Sequence, residues 1–374
     1  MPCSAAAPDT PARYTASLLA RLAMIVAGPL LLLGGLELIG WLWETDQAQG
    51  VYAWEMVASR RISLTAHRAP DGRPGAGYTL MTPGRHYVWG GIAVDVNSRG
   101  LRGPEYAQPK PPGVFRILNM GDSVAMGWAV RMEDSYGQQL ERLLNRAATP
   151  QRFEVINAGV PGWNLENALA YMTSEGLRLQ PDLILLEVTV TNDILGSNAL
   201  DQNALPVIEW LRAHTYAYPF LAVQFRTLAA RIQGRSRIDV LDPPSEAAAY
   251  FPLSPSDPKY DSLWATVRQA ALAAESAHSQ FALVIFPTSF QAADLHPDLP
   301  QQAFTRRARA AGIPFVDLLP VYRAACQASG PDGCSGGTYT VFADVWMHPN
   351  VEGCRLAAAA IRDRLFAPPS DNAR

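Results

Sequence analysis

The sequence predicts an α/β fold, a three-layer α/β/α sandwich whose central parallel sheet is covered by helices on both faces. From residue 114 onward, short apolar runs alternate with segments of helical spacing. Runs that are apolar at every position are typical of strands in a parallel sheet, where both faces are buried. In addition, 48% of the 374 residues are hydrophobic and 17% are charged, a composition that supports a large core.

Strands and helices are predicted to alternate through this part of the chain. The predicted strands are 115–120, 153–157, 182–190, 281–286 and 314–317. The predicted helices are 136–147, 165–179, 263–276, 301–311 and 351–366. We therefore expect one domain over 114–367, followed by a disordered tail over 368–374.

Residues 195–262 interrupt the alternation. They mix short helical pieces over 205–214 and 221–232 with a Pro-rich tract over 242–258. This pattern fits a lid inserted over a substrate site and a flexible surface loop about equally well.

The N-terminal region is expected to hold a transmembrane helix over 16–43, after a cytoplasmic tail over 1–15. The run from Leu22 to Trp43 contains one ionisable residue, Glu37, and is long enough to cross a hydrocarbon core of about 30 Å. A cleaved signal peptide is the alternative, but its apolar region usually spans only about 7–15 residues.

The charges on either side of this run predict its orientation. Arg13 and Arg21 precede it, whereas Glu44 and Asp46 follow it. The positive-inside rule then places the N-terminus in the cytoplasm. We expect the rest of the chain to be periplasmic or extracellular, anchored in the cytoplasmic membrane by a single span.

Residues 44–113 are predicted to form a small β extension and linker. The segments 87–89 and 92–96, with a turn at 97–100, are typical of a small hairpin, and the Pro-rich stretch 108–113 indicates a boundary. Since the extension carries alternating apolar positions, we expect it to pack on the main domain.

Four polar loops are predicted to converge at one edge of the sheet. Three of them follow strands: Gly121-Asp122-Ser123, residues 157–164 and Asn192-Asp193. The fourth, residues 344–350, ends in His348-Pro349-Asn350 and precedes the last helix. The carboxyl ends of parallel strands share one edge, where open α/β folds bind their ligands. Convergence would bring together a hydroxyl, backbone N–H groups, an amide and an imidazole, which suits acyl transfer through an oxyanion.

The ordered set of four loops resembles the SGNH hydrolase superfamily of GDSL-like lipases and esterases, over roughly residues 114–365, in its membrane-anchored bacterial type with a flavodoxin-like sheet. The resemblance implies that Ser123 is the nucleophile and His348 the base. It also implies an oxyanion hole made by the backbone N–H groups of Ser123 and Gly162 and the side chain of Asn192. The simpler alternatives are that Ser123 begins a helix, that Gly162 only permits a tight backbone, and that Asn192 closes a turn.

Two positions depart from the family pattern. The triad acid usually stands three residues before the histidine, where this chain has Val345, and the nearest carboxylate is Asp344. Asp344, a Ser-His dyad without an acid, and Asp317 from a neighbouring strand end are the three alternatives. The third block usually has glycine two residues before its asparagine, where this chain has Val190.

Composition argues against several other kinds of site. The net charge is −3 and Lys and Arg do not cluster, so nucleic acid is not an expected partner. The other histidines lack metal-ligand spacing, so we expect neither a metal nor a cofactor. Cys326 and Cys334 bracket a short loop and are expected to form a disulfide, which leaves Cys354 unpaired.

The leading hypothesis is a membrane-anchored extracytoplasmic serine esterase that removes O-acyl groups from a small ester or from a surface or secreted polysaccharide. An O-acyltransferase that passes the acyl group to a sugar hydroxyl is the first alternative. A non-catalytic glycan-binding module with the same fold is the second.

Overall fold

The structure is a computed structural model. It describes residues 21, 25, 27–42, 64–68, 77–89, 92–146, 150–190, 193, 207, 210–211, 215–232, 254–330, 333–334, 340–343 and 347–367.

Two antiparallel hairpins form the extension that precedes the main sheet. The first pairs β1 (Leu64–Arg68) with β2 (Gly77–Met81), and the second pairs β3 (His86–Trp89) with β4 (Ile92–Asp95). The second hairpin was predicted, whereas the first was not. The strands of the first hairpin are short, and the spacing of apolar residues did not indicate them.

The main sheet has five parallel strands in the order β6-β5-β7-β8-β9. The strands are β5 (Val114–Gly121), β6 (Arg152–Gly159), β7 (Leu183–Thr189), β8 (Gln280–Phe286) and β9 (Phe315–Asp317). The first of them, β5, lies between the second and the third, so the sheet has a topological switch point beside β5. Ligands bind outside the carboxyl ends of the strands at such a point.

Helices cover both faces of this sheet. In chain order, the helices described from Ser123 onward are α1 (Ser123–Met126), α2 (Tyr136–Asn145), α3 (Leu165–Ser174), α4 (Ala217–Ile232), α5 (Pro258–Ser276), α6 (Ser289–Ala292), α7 (Leu299–Ala311), α8 (Leu319–Ala328) and α9 (Val351–Leu365).

The core lies in two layers because successive strand residues point to opposite faces. Leu118 and its equivalents pack with α3, α5 and α7. Ile117 and its equivalents pack with α1, α2, α8 and α9. The predicted three-layer α/β/α arrangement with a central parallel sheet is confirmed.

Some helices differ from their predicted bounds, and others were not predicted. The helix predicted over 165–179 ends at Ser174, and a separate 3₁₀ turn, Gly176–Leu179, follows it. A side chain at Gly176 would press on Leu118 of β5. α5 begins at Pro258, earlier than predicted, because Asp257 caps its N-terminus. α8 was not predicted; its second residue is proline, which the first turn of a helix accepts.

At the N-terminal end, a helix covers 27–42. In the part of the chain that the structure describes, no helix is both long and apolar enough to cross a membrane. The transmembrane helix expected over 16–43 is therefore not supported there, and parts of that range lie outside the described residues. The Glu37 carboxylate accepts the Tyr216 backbone N–H at 2.6 Å, just before α4 begins.

Most of the candidate lid, 195–262, also lies outside the described residues. Within it, α4 contains the helix that was predicted over 221–232 and begins four residues earlier.

The β extension packs on the α3 side of the domain. The Trp163 indole N–H donates to the Thr79 carbonyl at 3.0 Å, and the Asn167 amide donates to the Gly77 carbonyl at 2.7 Å. The Tyr78 and Tyr171 rings meet edge to face, with centroids 5.5 Å apart. These contacts bring Tyr78 and Leu80 of the first hairpin into the core layer that contains Leu118.

Candidate active site

Ser123 lies at the carboxyl end of the sheet, where β5 turns into α1. Asp122 caps the helix, since its Oδ1 accepts the Val124 N–H at 2.7 Å, and its Oδ2 accepts the Thr189 hydroxyl at 2.7 Å. Asp122 is thus a hydrogen-bond acceptor that organises this loop. Two bonds to one carboxylate fix the turn that carries Ser123.

His348 reaches Ser123 from the loop before α9. Its Nε2 lies 2.8 Å from the Ser123 Oγ, and both side chains are buried, at 4% and 6% exposed. The Trp128 indole stacks on the imidazole, with ring centroids 5.5 Å apart and planes 26° apart. The two groups on which the leading hypothesis depends are therefore in hydrogen-bonding contact.

The loop that holds His348 is organised by Asn350, the N-cap of α9. Its side-chain oxygen accepts the Gly353 N–H at 3.0 Å, and its amide donates to the Thr340 and Phe342 carbonyls, each at 3.2 Å. The Ala343 N–H donates to the His348 carbonyl at 2.7 Å. The His-Pro-Asn sequence thus fixes the backbone on both sides of the imidazole.

The second polar loop packs directly on α1. Asn157 donates to the Met126 carbonyl at 3.0 Å. Gly159 lies so close that an added Cβ would collide with the backbone of Ala125 and Met126. Gly162 has a left-handed backbone, with φ of +77°, and open space around its Cα. The close contact explains why glycine is needed at Gly159, and the turn explains Gly162.

A buried carboxyl, Glu187 of β7, lies beneath the nucleophile turn. Its Oε2 accepts the Ala125 N–H at 2.8 Å and the Asp122 N–H at 3.3 Å. It also fills the space that a side chain at Gly121 would need. Burial raises the pKa of Glu187 well above its ordinary value, and the neighbouring Asp122 and Asp193 carboxylates raise it further.

Asp193 is the third buried carboxyl of this group. Its Oδ2 accepts the Thr189 N–H at 2.8 Å at the end of β7. Burial raises its pKa well above the ordinary value, as does the Asp122 charge, while hydrogen bonds from backbone N–H groups act in the opposite direction. Asp193 therefore organises the end of β7, the strand that leads into the third polar loop.

Two predicted site residues, Asn192 and Asp344, lie outside the described residues. Asp317, the alternative acid, accepts the Leu319 N–H at 3.0 Å at the start of α8. Burial raises its pKa above the ordinary value. Val190, which stands where the family has glycine, is buried in the core beside α3 and α5.

The cysteines follow the prediction. Cys326 and Cys334 form a disulfide, and Cys354 is free and buried. Burial raises the pKa of the Cys354 thiol to about 12, so the thiolate that a nucleophile requires is not formed near neutral pH.

Within the described residues, no group of three or more His, Cys, Asp or Glu is arranged to hold a metal ion.

Three residues that contact the candidate site were not predicted: Trp128, Glu187 and Arg102. Glu187 could have been noticed in the sequence, because it is the single charged residue of strand β7. Arg102 is fully buried and donates to carbonyls on the loop after α1, and burial lowers its pKa to about 10, so it stays charged at neutral pH.

The model of the GDSL-like lipase/acylhydrolase family matches residues 120–356 of this chain. No match to this chain was found among curated proteins. Solved structures similar to it include the acetyl xylan esterase AlAXEase, with 14% identity over 67% of this chain and 99% of that chain and a TM-score of 0.42. A putative lipolytic protein of the G-D-S-L family from Desulfitobacterium hafniense DCB-2 has 12% identity, covers 67% and 99%, and has a TM-score of 0.38. A two-domain esterase, CEX, active on acetylated mannans, has 17% identity, covers 66% and 47%, and has a TM-score of 0.39.

Proposed function

This chain belongs to the GDSL-like lipase/acylhydrolase family, an SGNH-type group of serine ester hydrolases, and we propose that it removes O-acyl groups with Ser123 as nucleophile and His348 as general base. The observation that carries the proposal is the 2.8 Å hydrogen bond between the Ser123 Oγ and the His348 Nε2. A serine hydroxyl is a weak nucleophile until a neighbouring base takes its proton.

The first step is acylation of Ser123. As the Ser123 oxygen bonds to the acyl carbon, its proton passes to the His348 Nε2 and the carbonyl electrons move onto the carbonyl oxygen. When this tetrahedral intermediate collapses, the bond to the leaving alcohol breaks and the alcohol takes the proton from His348. Water then attacks the acyl-enzyme in the same way, which releases the acid and restores Ser123.

The oxyanion formed in both steps requires hydrogen-bond donors. We assign this role to the backbone N–H groups of Ser123 and Gly162 and to the side chain of Asn192. The position of Ser123 at the start of α1 and the left-handed turn at Gly162 support the two backbone assignments. Removal of one such donor typically costs about 10²–10³ in kcat.

We assign the role of the acid that orients His348 to Asp344. It is the carboxylate nearest to the position that the family uses, one residue further from the histidine. An acid hydrogen-bonded to Nδ1 would keep Nε2 free to accept the Ser123 proton.

The proposal places the enzyme outside the cytoplasm. The Cys326–Cys334 disulfide supports this location, because disulfides persist mainly in oxidising compartments. Attachment to the membrane is supported by the apolar sequence of 22–43 and by exposed leucines on the helix over 27–42, such as Leu31 and Leu33. Labelling of intact cells with a membrane-impermeant fluorophosphonate tests the location. Resistance of the protein to carbonate extraction tests the attachment.

For the substrate we propose an O-acylated glycan at the cell surface or in secretion, a class of ester that an extracytoplasmic enzyme meets. Acetate release from acetylated polysaccharide should then depend on Ser123. Transfer of the acyl group to an added unacetylated glycan, in place of release, would instead identify the chain as an O-acyltransferase.

The test of the proposed function is labelling of the full-length protein with a fluorophosphonate beside Ser123→Ala. We expect the wild type to label and the variant to remain unlabelled. Equal labelling of the two, or no labelling of the wild type under conditions that label a known serine esterase, would contradict the proposal. The second result would favour the non-catalytic binding module.

A further inference from the structure

Arg102 connects the β extension to the catalytic residues. Its side chain is 1% exposed and donates to four backbone carbonyls. Nη1 donates to Gly127 at 2.6 Å and to Met126 at 3.2 Å, and Nη2 donates to Val130 at 3.0 Å and to Ala93 at 3.0 Å. One guanidinium therefore joins β4 to three points at the end of α1 and on the loop that follows it.

That loop has a backbone that needs support. Gly127 and Ala129 both adopt left-handed conformations, with φ of +84° and +65°. A non-glycine residue in this region is strained, and such a residue persists only where the surrounding structure holds it. The Arg102 bonds to Gly127 and Val130 enclose Ala129 on both sides.

The same loop carries Trp128, which contacts the catalytic base. Trp128 is almost fully buried, its ring stacks on His348, and its backbone N–H donates to the Ser123 carbonyl at 2.9 Å. The position of the Trp128 ring thus depends on the backbone that Arg102 fixes, and the imidazole packs against that ring.

We propose that Arg102 is a positioning residue for catalysis, which acts through Trp128 to hold the His348 imidazole in line with the Ser123 hydroxyl. The inference rests on the proposed function, because it assigns Arg102 a role in the same Ser123–His348 chemistry. Through Arg102, the β extension then contributes to catalysis as well as packing on the domain.

The test compares Arg102→Met with Arg99→Met, a matched control from the same Asn-Ser-Arg-Gly-Leu-Arg segment. The Arg99 side chain donates to Gln108 of the linker, on a different part of the molecule from the loop after α1. With p-nitrophenyl acetate, we expect Arg102→Met to lower kcat about tenfold or more, with KM changed less than about threefold. Arg99→Met should keep both constants near those of the wild type.

The connection through Trp128 is tested by a double-mutant cycle. Trp128→Leu should lower kcat to a similar extent. In the double variant with Arg102→Met, kcat should fall by less than a further factor of about three, because the effects of residues that act as a unit do not add. All rates are normalised to folded protein, measured by near-UV circular dichroism. If Arg102→Met does not fold, Arg102→Lys replaces it, since the ammonium can still donate to some of these carbonyls.

Several results would overturn the inference. If the wild-type enzyme labels with fluorophosphonate but Trp128→Leu leaves kcat unchanged, Trp128 does not position His348. This holds whatever the effect of Arg102→Met. If the reductions in log kcat add in the double variant, Arg102 acts independently of Trp128. A wild type that does not label contradicts the proposed function and this inference together, whereas the first two results leave the proposed function intact.

Discussion

The Ser123 Oγ and the His348 Nε2 lie 2.8 Å apart although 225 positions separate the two residues in the chain. Groups that transfer one proton between them act as a unit, so their losses should not add. We expect Ser123→Ala and His348→Gln each to lower kcat by at least about 10²-fold. The double variant should be no slower than Ser123→Ala alone. Steady-state hydrolysis of p-nitrophenyl acetate measures this, and a multiplicative loss would show that the two side chains act in separate steps.

Glu187 predicts a specific dependence of stability on pH. Its pKa in the folded protein is raised, so the native state holds a proton that the unfolded chain releases near pH 4.5. The free energy of unfolding should therefore fall as pH rises from that value through the raised pKa, by up to about 1.4 kcal/mol for each pH unit in the window. Glu187→Gln removes this titrating group and should lose less stability between pH 5 and pH 9. Urea unfolding at both pH values is the measurement, and parallel losses would contradict it.

Variants at the same position test whether Glu187 supports the nucleophile turn by hydrogen bonding or only by filling space. In Glu187→Gln, the side-chain amide oxygen can still accept the N–H groups of Ala125 and Asp122, so fluorophosphonate labelling at pH 7 should stay within about threefold of the wild type. Glu187→Met fills similar space without an acceptor, and we expect it to label much more slowly. Equal rates for the two variants would mean that Glu187 serves only as packing.

The parallel sheet and the position of Ser123 at its edge could be predicted because both depend on local pattern. The strand β7 is apolar at nearly every position, and Ser123 stands two residues after the end of β5, which places it at the sheet edge whatever the details of packing. Contacts between distant segments could not be predicted in this way. Nothing in the spacing around Arg102 indicates that its guanidinium reaches Gly127, since that contact exists only after the extension has packed on the domain.

Gly159 offers a test of the close packing between the second polar loop and α1. A Cβ there would meet the backbone of Ala125 and Met126, which cannot move without displacing Ser123. We expect Gly159→Ala to lower the free energy of unfolding by more than about 2 kcal/mol and to slow labelling. Gly113→Ala is the matched control, because Gly113 has a left-handed backbone, with φ of +76°, but open space around it. It should cost only about 1–2 kcal/mol and leave labelling unchanged.

The acid partner of His348 can be identified with matched variants of two aspartates. If Asp344 orients the imidazole, Asp344→Asn should lower kcat by at least about a hundredfold while the protein remains folded, since the wrong tautomer would then face Ser123. Asp317→Asn should have little effect, because Asp317 accepts the Leu319 N–H and asparagine can accept it as well. Steady-state kinetics on both variants separate the alternatives. A loss confined to Asp317→Asn would move the acid to β9, and unchanged rates in both would leave a Ser123–His348 dyad.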